Sequence, residues 1–219
     1  MVRYVLAPVV PAAASGLRLP RTIPARPGSG GVALTFDDGP HPTGTPAVLD
    51  VLVRAGARAT FFVIGEQVER RPALLQELVA AGHAVALHGY SHRLQLRMSS
   101  ASVQDDLERG IAAIENAISA RPTLHRPPYG IYSPAGLKAA RALGLEPLLW
   151  SRWGKDWRKF TTPARIAARA TRRLEARDVI LLHDADFYSS HDSHVRTAAA
   201  LTPILRELSQ RELDTVLPV

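Results

Sequence analysis

Beyond residue 31 the chain alternates short apolar runs with stretches whose apolar residues recur every three or four positions. The runs at 32–36, 59–64, 84–88, 124–126, 147–151, 179–183 and 215–217 predict strands. Between them lie helical patterns with recognisable punctuation. Thr45-Pro46 offers an N-cap and a proline at the first helical position, and Gly56 a stop. Pro72 opens a second helix that ends at Gly82. Val103, Leu107, Ile111, Ile114 and Ile118 form one apolar stripe at helical spacing. Ser133-Pro134 with Gly144, and Thr162-Pro163, repeat the cap-plus-proline opening, and a last helix is predicted over 195–208. Strand–helix alternation implies an α/β fold, a mainly parallel sheet with helices packed outside it. About seven strands fit either an open doubly wound sheet or a closed barrel, and periodicity does not choose between them. The pattern divides the chain into a Pro/Gly/Arg-rich lead-in, 1–31, and a single domain, 32–219.

Composition narrows this picture without redirecting it. The chain of 219 residues is long enough for one substantial core, and its 46% hydrophobic and 21% charged residues are ordinary for a globular protein. With no cysteine, disulfides, thiolate ligands and a thiol nucleophile are excluded. The net charge of +7 invites a nucleic-acid partner. The basic residues read as dispersed, however, and groups such as Arg169-Ala170-Thr171-Arg172-Arg173 fall in a helix that also needs an apolar face. A solvated arginine-rich surface is the expectation, with no nucleic-acid partner. No run approaches the ~20 apolar residues of a membrane span. The opening, Met1-Val2-Arg3 followed by residues 4–14, imitates a secretory signal, but it has one basic residue and Pro8 and Pro11 interrupt it. An arm packed on the domain of a cytoplasmic protein is therefore the favoured expectation, with the leader of a secreted protein as the alternative.

The placement of polar residues says more than the strand count. Asp37 and Asp38 follow the first predicted strand, His88 and His92 the third, Arg126 the fourth and Asp156 the fifth, while His183 ends the sixth. All lie at carboxyl ends of strands, the edge at which α/β folds build their sites. Adjacent carboxylates repel unless a cation or proton separates their roles. A metal on Asp38, His88 and His92 leaves Asp37 as general base, and leaves coordination positions for water and substrate. Successive prolines in Arg126-Pro127-Pro128-Tyr129-Gly130 demand a rigid loop. From it Arg126 can orient a carboxylate, and the Tyr129 amide can hold an oxyanion. His183 paired with Asp156 can stay protonated and donate to a leaving amine. Trp157 and Leu181 can form an apolar wall that fits a methyl group. His83 and His125 read as structural, and His41 as exposed. The segment 183–194 is rich in His and Asp, including His191 and His194, and suggests a second metal. Its plainer reading, a polar loop over the site mouth capped by Ser193, is preferred.

The ordered set TFDDGP, HGYSH, RPPYG, DW and LLH resembles the NodB-homology polysaccharide deacetylases, carbohydrate esterase family four, over nearly the whole domain from Val32 onward. The resemblance implies a distorted (β/α) barrel of about seven parallel strands with outer helices. It also implies one divalent metal ion, usually zinc, with cobalt, nickel or manganese serving some members. Carried onto this chain, Asp37 is the base and Asp38, His88 and His92 are the ligands. Arg126 orients Asp37, His183 is the acid tuned by Asp156, and Trp157 and Leu181 line the acetyl pocket beside Tyr129. Two positions depart from the family pattern. Gly89 replaces a Ser or Thr after the first ligand His, so a loop hydrogen bond is lost or taken over by Ser91, and Trp153 stands where many members carry Asp. The implied activity is removal of N-acetyl groups from an amino sugar, with an N-acetylated carbohydrate as partner. O-deacetylation, hydrolysis of another amide and a non-catalytic carbohydrate-binding protein are the alternatives.

Overall fold

Runs without polar alternation belong in strands covered on both faces, and the central strands have that character. The computed structural model describes residues 19–24 and 30–218. β1 (Ala33–Asp37) and β2 (Thr60–Val63) are buried along their whole length. Between them runs α1 (Gly44–Arg54). There follow α2 (Gly65–Arg70), α3 (Pro72–Ala80), β3 (Ala84–Leu87) and the long α4 (Ser100–Ile118). The second half contains β4 (Leu124–His125), α5 (Pro134–Ala142), β5 (Glu146–Pro147), β6 (Arg152–Trp153), α6 (Pro163–Ala170), β7 (Val179–His183) and α7 (Ser193–Gln210). The seven strands form one sheet in the order β5-β4-β3-β2-β1-β7-β6, with every pairing parallel. Curled over its own core and ringed by helices, it is a partly open (β/α) barrel.

The barrel stays open because β5 and β6 end the sheet on opposite sides although only residues 148–151 separate them. That segment, predicted as one strand, is instead a bridge across the gap. The Leu148 amide donates to the His125 carbonyl on β4 at 3.1 Å, and the Ser151 amide to the Val179 carbonyl on β7 at 3.1 Å. The carbonyls of Leu148 and Leu149, lacking a neighbouring strand, accept from the Arg126 guanidinium at 3.0 Å each. The predicted strand at 215–217 reduces to a single bridge between Val32 and Thr215. The six-residue α2 was not foreseen, being too short to show a helical period.

Most helix openings follow their punctuation. Ser133 Oγ accepts the Gly136 amide and Thr162 Oγ1 accepts the Arg165 amide, contacts that contribute roughly 1 kcal/mol each. Two differ. α1 begins one residue before Thr45, and the His41 ring rather than a hydroxyl receives its first amides. At α7 Asp192, not Ser193, occupies the cap position, with no side-chain cap. Of the lead-in, Leu19 and Ile23 are buried in the core, and the Ile23 amide donates to the Arg177 carbonyl at 3.0 Å. The rest of the expected arm, 1–18 and 25–29 with its signal-like stretch, lies outside the described residues. No helix among the described residues is long and apolar enough to cross a membrane.

Candidate active site

Parallel strands deliver whatever follows them to one rim, so Asp37, His88, Arg126, Asp156 and His183 meet despite their separation in sequence. Asp38 and Tyr129 reach the same cavity from turns in the left-handed region, at φ 81° and 64°. Asp38 Oδ1 lies 3.5 Å from His88 Nε2 and 3.3 Å from His92 Nε2. It is buried without a hydrogen-bond partner. Burial alone would push the Asp38 carboxyl up, but the facing His92, His88 and His183 outweigh it and hold it well below the usual carboxylate range. His88 Nδ1 sits 2.6 Å from the Arg126 carbonyl, which can only accept, so Nδ1 carries the ring proton. Nε2, the nitrogen turned towards Asp38, is the ligand atom of the ring once no proton occupies it. An orphaned buried carboxylate oxygen and an imidazole locked in the ligand tautomer fit a divalent cation.

Two buried ion pairs flank this triad. Arg126, fully buried, donates from one terminal nitrogen to Asp37 Oδ1 at 2.6 Å and Thr35 Oγ1 at 2.9 Å. The guanidinium also packs on the Phe62 ring, 4.0 Å from its centroid. One carboxylate oxygen of Asp37 is thus fixed, and Oδ2 is turned towards His88 Nε2 at 3.8 Å. On the other side Asp156 Oδ1 meets His183 Nδ1 at 2.9 Å, while Oδ2 accepts the His183 amide and the Thr197 hydroxyl. Burial pulls the His183 imidazole down, but Asp156 more than offsets it and raises its pKa to about 10. His183 Nε2 is the ring nitrogen left for the cavity. The walls include Tyr129, Trp157 and Leu181, together with Trp150, Trp153 and Tyr188.

The family model for polysaccharide deacetylases matches residues 25–148. The chain belongs to the polysaccharide deacetylase family. It is 36% identical over 182 residues to a peptidoglycan-N-acetylglucosamine deacetylase of Bacillus cereus, covering 82% of each chain. It is 37% identical over 199 residues to a chitooligosaccharide deacetylase of Sinorhizobium fredii, covering 87% of this chain and 92% of that one. A family 4 carbohydrate esterase from Streptomyces lividans, solved with acetate, superposes with a TM-score of 0.77 at 32% identity over 86% of this chain and 92% of that one.

Several residues of this family member that shape the site belong to none of the motifs read from the sequence. Tyr188 stacks on the His92 ring at 4.1 Å between centroids and donates to Glu66. Asp106, on α4, accepts the amides of Tyr90 and Ser91 and the Ser91 hydroxyl, fixing the loop that carries both histidines. A side chain at Gly89, whose φ is 99°, would press on that carboxylate. Asp184 lies under the Asp38-Gly39 turn, hydrogen-bonded by Thr45, and burial pushes its carboxyl up to about 7. Thr35, Thr197 and Asp106 could have been guessed only as ordinary helix or strand residues.

A second triad of ligand-type atoms joins His41, Asp186 and His194. His41 is buried, not exposed as its position beside Pro40 suggested. Its Nδ1 accepts the Gly44 amide at 2.9 Å, so the ring proton is on Nε2, which faces Asp186 Oδ1 at 3.3 Å. That is the tautomer of a donor. Asp186 Oδ2 accepts the Asp192 amide and lies 3.4 Å from His194 Nδ1. The group ties the β7–α7 loop to the start of α1.

Proposed function

We propose that this protein is a metal-dependent hydrolase that removes N-acetyl groups from an acetylated amino sugar, with residues 32–219 as the catalytic unit. The observation that carries the reading is that Asp37, backed by Arg126, and His183, backed by Asp156, open into the same cavity as the Asp38–His88–His92 triad. The triad would hold one divalent cation, zinc fitting its two imidazoles and carboxylate best. Bound there, the cation supplies Lewis acidity and makes water a stronger acid.

The remaining work falls to side chains. Asp37 Oδ2, free of the Arg126 contact, takes the proton of the water that attacks the acetamide carbon. Arg126 keeps Asp37 aimed. The Tyr129 amide stabilises the charge that develops on the carbonyl oxygen. As the carbon–nitrogen bond breaks, His183 Nε2 gives its proton to the departing amine, so acetate and a free amino sugar are released. Asp156 keeps His183 charged until then. Trp157 and Leu181 form the apolar slot for the methyl group.

The test is acetate release from N-acetylated chito-oligomers, peptidoglycan fragments and acetylated amino-glycosides by the metal-loaded protein. Release that disappears on chelation, returns with added zinc and is absent in His88→Ala is the expected result. Release from O-acetylated xylan alone would replace the amide assignment with an ester one.

A further inference from the structure

Charge is not spread evenly over this molecule. Residues 152–175 contain eight basic and two acidic side chains, so the rest of the chain holds only +1 of the overall +7. The two acids do little to neutralise that segment where it meets the site. Asp156 is fully buried and committed to His183 and Thr197. Glu175 sits at the far end of the segment, beyond α6. Among the described residues, Lys155, Arg158, Lys159, Arg169, Arg172 and Arg196 form no ion pair.

Lys155 brings this group to one wall of the cavity. Lys155 Nζ lies 4.5 Å from the centroid of Trp153, a wall residue. The Lys155 backbone is held at φ 53°, a conformation L side chains seldom adopt. Burial, and after it the charges of Arg158, Arg169 and Arg172, pull the Lys155 ammonium below its ordinary value, so these groups share one field. Across the mouth the Ser190 amide donates to the Trp157 carbonyl at 3.2 Å. Arg196 ties this loop together, one terminal nitrogen donating to Ser190 Oγ at 2.7 Å and the Arg158 carbonyl and the other to the His191 carbonyl at 3.3 Å, with its positive charge left at the rim. Its Nε is buried without a partner. Like charges held together without counter-charges, against an aromatic wall, are a receptor for an anion.

We propose that Lys155, Arg158 and Arg196 form an anion subsite at the rim. The acetylated saccharide then carries a carboxylate or phosphate group beside the sugar whose acetamide enters the cavity. Trp153 stacks against the sugar ring while the basic groups hold the anion. The inference rests on the deacetylase reading above and narrows it to acidic saccharides.

Three saccharides matched in length test it: a neutral N-acetylated chito-oligomer, one bearing lactyl carboxylates, and one ending in a diphosphate. Acetate release is measured with the metal-loaded wild type and with a Lys155→Gln/Arg158→Gln double variant. Binding is followed by calorimetry in an Asp37→Asn background, so the rim is read independently of turnover. The wild type is expected to favour an anionic saccharide over the neutral one by about tenfold in kcat/KM. That ratio should fall towards one in the double variant, and in the wild type at about 0.5 M salt. The better of the two anionic saccharides identifies the anion. Equal handling of charged and neutral saccharides, or a preference that survives the double substitution, overturns the proposal. Duplex DNA binding that the double variant abolishes, with no saccharide preference, overturns it in favour of a nucleic-acid face. Charge-selective binding without acetate release from any saccharide upholds the rim and sinks the hydrolase reading instead.

Discussion

Two clusters among the described residues contain one aspartate and two histidines with ligand atoms within 4.8 Å of one another, yet the imidazoles in them are turned to opposite uses. In the Asp38–His88–His92 cluster a backbone carbonyl faces His88 Nδ1, which puts a proton there and leaves Nε2 as the nitrogen turned to Asp38. In the His41–Asp186–His194 cluster a backbone amide faces His41 Nδ1, which puts the proton on Nε2 and turns it into a donor to Asp186. The carboxylates differ in the same sense. Asp38 Oδ1 has no hydrogen-bond partner, whereas Asp186 Oδ2 is occupied by the Asp192 amide. Residue type and distance are common to both. The polarity of the backbone group behind His88 and His41 is what distinguishes the proposed cation site from a loop fastening.

Deleting one imidazole from each cluster separates the two most sharply. His88→Ala should abolish both bound metal and acetate release, while His41→Ala should keep its metal. Elemental analysis of dialysed protein reads both, with one metal per chain expected in the wild type and in His41→Ala. Two metals in the wild type, one of them lost in His41→Ala, would break the comparison.

Isosteric changes at the carboxylates come next. Asp37→Asn should lower kcat by about 10²–10⁴, the usual worth of a positioned base, with little change in thermal stability. Asp186→Asn should reverse that balance. It weakens the acceptor for His41 and the Asp192 amide, costing about 1–3 kcal/mol in denaturant unfolding, with metal retained.

The third change tests the acid. His183 titrates at about 10 because Asp156 faces it, so donation should persist below that pH and fail as pH rises through it. In Asp156→Asn the alkaline limb of kcat/KM should move down towards the ordinary histidine value near 6.5. The pair's contribution to stability has the same sign, being fully present below about pH 6.5 and lost as pH rises towards 10. An alkaline limb that does not move in the variant would remove His183 from the acid role.

The smallest effect belongs to the edge of the second cluster. His194→Gln removes the 3.3 Å contact between His194 Nε2 and the Thr43 hydroxyl and should cost about 0.5–1.5 kcal/mol, leaving metal content untouched.

Much of the architecture was open to a reader of the chain. Unbroken apolar runs marked β1, β2, β3 and β7, and cap-plus-proline pairs marked α5 and α6. Both are local properties, and so is the rule that residues following parallel strands share a rim. That rule places Asp37, His88 and His183 at one cavity, with Arg126 buried directly behind Asp37. The bridge at 148–151 was hidden because it is apolar like a strand, and what distinguishes it is Arg126 satisfying its carbonyls from another part of the chain.

Local chemistry thus determined the barrel's repeating units, the rim on which the polar residues gather, and the residue types available there. Tertiary structure decided what each of those residues is. His41 looked exposed and is buried, and its tautomer depends on an amide at the start of α1. Asp106 fixes the loop of His88 and His92 from α4, and the charge of residues 152–175 matters because folding sets Lys155 against Trp153 at the cavity wall. Helical and strand preferences act over a few neighbours and can be read in order. Protonation, burial and field depend on groups far apart in sequence, and they take their values only when the fold has closed around them.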